Sequence, residues 1–477
     1  MLVYGSGECA SSLVMNSIFA FAMLYYTKAL RLDPAWAGMA MSVSVLWEAL
    51  TEPVIGHLSD HTRSRWGRRH PYMIFGGLLM VACSYLIWAV PAGVQTSQLA
   101  LFWYLVVVNL ILRTGLSLFG IPYMALGFEM CADYQGRSRL QSIRQIFNMA
   151  ANLAGPALAW SLFFQDRDGL RGTTVAENYL RMGGVFSLLT AFFVLLVVAG
   201  TFRWHEDTRL AARAVNGGWF RQFVLNMKQL LLDPNLRWVV VFTVVTGIGT
   251  LWVSSLQVFV YDDFMKFSAD QKSIAHGSTM VGWALGAFFS AGLAKQFDKR
   301  ATVVLGSLVG LAANGILALL FLTGWVPPGT VWDAGGISLP LATCLFVAFH
   351  ASYWLGIGIA MPVSIAMIAD VSEVHFLQTG VKKDGGYTSI ASVAIRLACA
   401  IGMITSGYCL HFIGYPVTPG VESLSPHPPA IWRLGFATFA AGAFMCLLAV
   451  LAILKYPLTR RRLEKLRAAS EDGCQQP

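Results

Sequence analysis

Residues 46–72 read LWEALTEPVIGHLSDHTRSRWGRRHPY, and two features of this stretch decide how the whole chain is read. Its first part continues an apolar run that begins near residue 34, yet it carries Glu48 and Glu52 one helical turn apart. Its second part is a short turn holding Arg63, Arg65, Arg68 and Arg69 that leads straight into the next apolar run. Apolar run, basic turn, apolar run is the pattern of two helices crossing a bilayer, joined on the side where Lys and Arg accumulate.

The same pattern recurs along the chain. Of 477 residues, 56% are hydrophobic and 12% charged, against roughly 25% charged in a soluble domain. Apolar spans fall near 8–30, 34–58, 72–92, 99–130, 142–166, 179–202, 237–261, 273–296, 302–325, 338–370, 387–413 and 431–455. Runs this long satisfy their backbone groups in hydrocarbon as helices, not as the alternating ten-residue strands of a barrel. The expected fold class is an all-α membrane protein with twelve transmembrane helices, leaving no soluble domain of useful size.

The net charge of +9 follows topology. Most Lys and Arg lie at the connections after spans 2, 4, 6, 8 and 10 and in the C-terminal tail, which places both termini in the cytoplasm. The basic excess therefore calls for no nucleic acid. The start, MLVYGSGE, has no basic n-region or small-residue cleavage site, so a removable signal peptide is not expected. Eight cysteines are scattered singly, without C-x-x-C or His at metal spacing, and no cofactor or disulfide framework is expected, nor any metal beyond a transient Na⁺.

The longest polar connection, 205–236, divides the chain into six spans plus six. Expected domains are a bundle at 1–204, a cytoplasmic linker at 205–236, a second bundle at 237–456 and a tail at 457–477. GHLSDHTRSRWGRR (56–69) and GLAKQFDKR (292–300) occupy equivalent turns in the two halves, as in a parallel internal repeat. Gly282 and Gly286 have the G-x-x-x-G spacing of tight helix contact.

An ionisable group within the hydrocarbon costs from roughly 3 kcal/mol upward, so Glu48, Glu52, Arg113 and Arg396 are the candidate functional charges. The i, i+4 spacing puts both carboxylates on one helix face, with the Thr51 hydroxyl nearby. Pro53 removes a backbone donor and frees a carbonyl in the preceding turn, giving an oxygen-rich site that suits a hard cation or a proton. A buried ion pair with Arg113 or Arg396 that fixes helix packing explains the same residues. Arg396 is the expected counter-ion of the Glu pair. Arg113 shares a face with Ser117 and Gly120, and is read as a carboxylate clamp, as a permanent substitute for a bound cation, or as a salt-bridge partner. His350 and Asn152 read as polar groups bonded to a neighbouring helix, whereas Tyr25, Tyr353, Trp354 and Tyr387 are candidates for stacking on a ring-shaped ligand. H-E-x-x-H, G-x-S-x-G and P-loop motifs are missing, so neither an enzyme nor ATP-driven pumping is supported.

YGSGE (4–8), MLYYT (23–27), the stretch at 46–72, GIPYMALGFEM (120–130), DYQGRSRL (133–140) and ADVSEVHFLQTGVKKDGGY (369–387) resemble, in order, the landmarks of the glycoside-pentoside-hexuronide:cation symporter family of the major facilitator superfamily. The resemblance covers nearly the whole chain. It implies two pseudo-symmetric six-helix bundles and a coupling-ion or proton site at Glu48, Thr51, Glu52 and Ser117, with Arg396 and Arg113 as charge partners. A cytoplasmic gate at Asp60, Arg65, Gly67, Arg68, Arg69, Asp370 and Glu373 follows from it too. Substrate-site candidates are Ser12, Asn16, Arg113, Gly120, Met124, Arg144 and Met361. Four of these depart from sugar-binding members, which have carboxylates where Ser12 and Gly120 stand and tryptophans where Met124 and Met361 stand. These departures argue against a disaccharide in the family's pose and leave room for a more apolar ligand, since some relatives of the family carry lysolipids. The implied function is secondary active transport of a sugar, glycoside or uronate by alternating access, coupled to H⁺ rather than Na⁺. An amphipathic substrate or a non-transporting sensor is the alternative. The expected partners are a small-molecule substrate, a coupling cation and the bilayer of a plasma or bacterial inner membrane, with the chain a monomer.

Overall fold

A computed structural model of the protein describes residues 1–62, 64–130, 134–166, 170–202, 233–334, 337–379, 384–415, 428–460 and 462–466. Most of the 205–236 connection, the end of the 457–477 tail, Cys131 and Cys474 lie outside these residues. Twelve helical segments account for nearly all of the described chain. They are α1 (residues 2–29), α2 (Pro34–His61), α3 (His70–Leu86), α4 (Gln98–Met130), α5 (Tyr134–Leu158), α6 (Ala176–Thr201), α7 (Pro234–Phe259), α8 (Ala269–Phe297), α9 (Lys299–Leu322), α10 (Leu341–Thr379), α11 (Asp384–Ile413) and α12 (Pro428–Ile453). Each coincides with one apolar span of the sequence; α10, at 39 residues, runs on well past residue 370. Among the described residues, α4 to α12 supply nine helices long and apolar enough to cross a membrane. The three others are α1, which contains two π-helical turns, α2, which carries the Glu pair, and α3, with 17 residues.

Local chemistry sets the helix starts and bends. Asp33 accepts from Ala35 N at 2.8 Å and Pro34 occupies the first turn, so α2 begins there. Asp298 accepts from Lys299 N at 2.6 Å and opens α9. Pro53, Pro122, Pro156 and Pro362 all sit inside helices, as membrane packing allows. Among the described residues one element departs from the all-α expectation: an antiparallel hairpin, Trp332–Ala334 with Ile337–Leu339, in the connection before α10.

By contact the chain forms two compact units. The first comprises Met1–Arg213, Ser254–Gly277 and Met403–Leu434; the second comprises Ala214–Val253, Ser278–Gly402 and Gly435–Pro477. In the first, Phe21, Tyr25, Trp88, Trp160, Phe164 and Tyr179 form a buried aromatic core. The Tyr25 and Tyr26 hydroxyls donate to Trp88 O and Ile87 O, at 2.8 and 2.9 Å. Tyr25 is thus a core residue, and so are Tyr353, Trp354 and Tyr387 in the second unit. All four are at most 2% exposed, because their rings fill space between helices and offer no face to a ligand. His350 is likewise buried and accepts from Trp354 Nε1, one turn along its own helix, at 3.4 Å.

In the second unit, α8 lies against α10 as the glycine spacing predicts. A Cβ on Gly282 would stand 2.2 Å from Ala351 O, and one on Gly286 would stand 2.2 Å from Leu355 O. These obstacles are backbone and cannot move aside. Gly282→Val is expected to abolish a monodisperse folded species on size-exclusion chromatography in detergent, while Gly315→Val, where a Cβ meets nothing within 4 Å, leaves it intact. Equal behaviour of the two variants would refute the close crossing.

Candidate functional site

Two sets of polar groups, one buried and one half-buried, belong to the first unit. The first set joins α2 to α4. Arg113 Nη1 donates to Glu48 Oε2 at 2.7 Å, and both side chains are withdrawn from solvent, at 3% and 11% exposure. The guanidinium lies over the Phe19 ring of α1, 5.4 Å from its centroid. Trp47 Nε1 donates to Thr114 Oγ1 at 2.9 Å, pinning the same two helices one residue away from each charge. Arg113 thus forms a salt bridge, one of its readings from the sequence, and its fixed positive charge stands beside Glu48. Arg113 Nε and Ser117 Oγ are buried without a hydrogen-bond partner among the described residues. Thr51 Oγ1 donates back to Glu48 O at 3.2 Å, within its own helix. Glu52 is half-buried one turn further on, next to Pro53. Arg396 is half-buried on α11 in the second unit.

The second set is a ladder between α1 and α5. Glu8, Ser12 and Asn16 recur every fourth residue on one face of α1; Arg144, Asn148 and Asn152 do the same on α5. Arg144 donates from Nε to Glu8 Oε1 at 2.7 Å and from Nη2 to the same oxygen, while its Nη1 reaches Gln141 Oε1 at 3.0 Å. Asn148 Nδ2 donates to Ser12 Oγ at 2.8 Å, Asn152 Nδ2 to Asn148 Oδ1 at 3.0 Å, and Asn16 Nδ2 to Asn152 O at 2.9 Å. The Tyr123 ring of α4 lies beneath Arg144 at 5.0 Å and stacks on Tyr4, the two tyrosines exchanging hydroxyl-to-carbonyl bonds of 2.7 Å. Ser12, Asn16 and Arg144, three of the sequence candidates, therefore belong to one constellation. Gly120 faces open space, where a Cβ would meet nothing within 4 Å, and Met124 one turn on is exposed. Met361 packs in the second unit beside Tyr353, Trp354 and Cys446.

Sequence reading missed Glu8, Asn148 and Glu129 as site residues. The period-four recurrence of polar residues on spans 1 and 5 was the available signal for the first two. Glu129 organises the turn after α2: it accepts from Arg68 Nη2 at 2.8 Å and from Arg69 at 2.9 and 3.0 Å, while Arg69 also pairs with Asp60 at 2.6 Å and donates to Ser59 Oγ at 2.9 Å. Gly67 takes φ +77° at the tip, a conformation that favours glycine, and Arg65 lies over the Trp66 ring at 5.4 Å. In the second unit Lys299 reaches both oxygens of Asp370 at 2.6 and 2.7 Å. Glu373 lies one turn beyond on α10.

The family described as MFS/sugar transport protein matches residues 3–460. The chain belongs to that family. As a member of the MFS/sugar transport family it is an all-α, multi-pass membrane protein with the major facilitator fold and a transporter's architecture. A Synechocystis sp. protein described as an uncharacterized symporter is 25% identical over 96% of this chain and 94% of its own. The glucuronide carrier protein homolog of Escherichia coli is also 25% identical, over 97% of this chain and 93% of its own. Among solved structures, the nucleoside transporter NupG superposes with a TM-score of 0.62 at 13% identity, covering 96% of this chain and 99% of that one. At that identity the superposition speaks for the fold alone.

Proposed function

We propose that the protein is a secondary active transporter that moves a sugar, glycoside or uronate by alternating access, with both termini cytoplasmic and with H⁺ rather than Na⁺ as the coupling ion. The observation that carries the substrate class is the α1–α5 ladder. Alternating donors and acceptors on two facing helices, with a guanidinium at one end, suit a polyhydroxylated ligand and its carboxylate, if it has one. Relatives described as a symporter and as a glucuronide carrier homolog support the same class. The Arg113–Glu48 pair supports the choice of ion: with a fixed cation on Glu48 two carboxylates do not combine into a coordination shell for Na⁺, while a proton needs one carboxylate, that of Glu52. The expected two-bundle repeat at 1–204 and 237–456 belongs to this proposal, with Arg396 as the basic group from the second half. The 59–71 turn and the Lys299–Asp370 pair serve as its cytoplasmic gate elements.

A thermal-shift screen of purified protein against sugars, uronates and lysolipids, across pH and with or without Na⁺, tests the proposal. Stabilisation by a sugar or uronate that does not depend on Na⁺ is the expected result. Asn148→Ala is then expected to weaken that ligand by roughly tenfold or more, the effect of one or two lost hydrogen bonds, with little change in the unliganded melting temperature. Exposed Met124 beside the open space at Gly120 favours a second reading, an amphipathic substrate. Stabilisation by lysolipids alone, unaffected by Asn148→Ala, would establish that reading and overturn the first.

A further inference from the structure

α1 and α7 end in the same way, and their ends meet within the first unit. A π-helical turn ends each, Tyr25–Ala29 within α1 and Val260–Phe264 directly after α7. Leu30 N and Leu32 N donate to Tyr25 O and Tyr26 O; Met265 N and Phe267 N donate to Val260 O and Tyr261 O. Arg31 and Lys266 then both take positive φ, 59° and 53°. Every pair is offset by 235 residues, and at that same offset Lys28 corresponds to Asp263.

Lys28 donates to Asp263 Oδ1 at 2.8 Å and to Asp262 as well. Asp262 also accepts from Lys272 Nζ of α8 at 2.5 Å and from Thr173 Oγ1 at 2.7 Å. Asp263 accepts from Arg171 Nη1 at 2.8 Å and from the Tyr415 hydroxyl that follows α11. Side-chain exposure is 5% for Lys28, 1% for Lys272, 0% for Asp262 and 1% for Asp263; Arg171 alone reaches outward, at 33%. None of these residues takes part in the ladder or the Glu48 pair.

The geometry points to a buried ionic latch that holds closed the end of the transporter opposite the 62–69 turn, with Lys28 as the bolt between the repeat-related ends of α1 and α7. Opening that end must part Lys28 from both aspartates and hydrate all of them. Lys28 is also the surplus charge: without it two cations, Lys272 and Arg171, still match two carboxylates. Lys28→Met therefore undoes the contact between the ends of α1 and α7 while leaving the Lys272, Arg171 and Thr173 bonds and a balanced charge, whereas loss of either aspartate strands buried cations. That the closed end must open rests on the alternating-access reading; the latch itself is measured without a substrate.

The test places a cysteine at Thr27, fully buried beside Lys28, and follows its labelling by a membrane-impermeant maleimide on intact cells, resolved by peptide mass. Ser97→Cys, exposed in the loop before α4 at the same end, reports sidedness; if it labels only in inverted vesicles, the comparison is made there. Position 27 is expected to be protected in the otherwise unchanged chain and with Lys28→Arg, and to label about tenfold faster with Lys28→Met. Protection unchanged in folded Lys28→Met would overturn the latch. Should that variant fail to fold, Lys28→Gln, which also removes the bolt's charge and leaves two cations against two carboxylates, is judged by the same criterion. Failure of uptake assays with accelerated labelling would count against the transport reading and not against the latch.

Discussion

Glu48→Ala is expected to destabilise the protein more than Arg113→Ala, and the double variant is expected to be less harmful than either. The pair sits in a low-dielectric site with 3% and 11% exposure, so removing one partner leaves an uncompensated charge. Breaking such a pair costs about 3–5 kcal/mol, while removing both partners is often close to neutral. The asymmetry comes from chemistry. A stranded carboxylate in such a site escapes by taking up a proton, but a guanidinium does not give one up. The Phe19 face beneath Arg113 adds a contact that vanishes with the arginine but does not replace the lost carboxylate. Apparent melting temperatures of the three variants in detergent check this. Equal losses in the single and double variants would mean that the two residues do not stabilise each other.

Glu52→Gln is expected to abolish concentrative uptake, bringing the internal substrate level down to the external one, while downhill exchange continues. Gln keeps the size and hydrogen-bonding capacity of Glu and removes only the ionisable group, so a coupling role is lost and packing is kept. Glu52 stands one turn from Glu48, half-buried and beside Pro53. In the proposed transport cycle Glu52 is the carboxylate assigned to exchange the proton. The measurement is uptake into proteoliposomes under an imposed pH gradient, using the ligand found by thermal shift. Accumulation as high as in the unchanged protein would remove Glu52 from the ion site.

The sequence determined the membrane class, the spans and their number, because apolar length and the siting of Lys and Arg are properties of the chain taken residue by residue. It also singled out Glu48, Glu52 and Arg113, because a charge inside an apolar run is conspicuous without any knowledge of neighbours. The glycine contact of Gly282 and Gly286 was legible for the same reason, its spacing being local.

Tertiary structure decided what each polar group is paired with. Arg113 meets Glu48 across 65 residues, Arg144 meets Glu8 across 136, and Lys28 meets Asp262 and Asp263 across more than 230. Asp262 and Asp263 follow directly on the apolar run at 237–261, where nothing local distinguishes them from other acidic residues at the end of a span. Only the packing of α1, α7 and α8 shows that they are buried and bound. Tyr25 and Trp354 were open to stacking on a ligand until their burial placed them in the core. Spans are written into local composition, whereas partners are set by which helix faces the fold brings together.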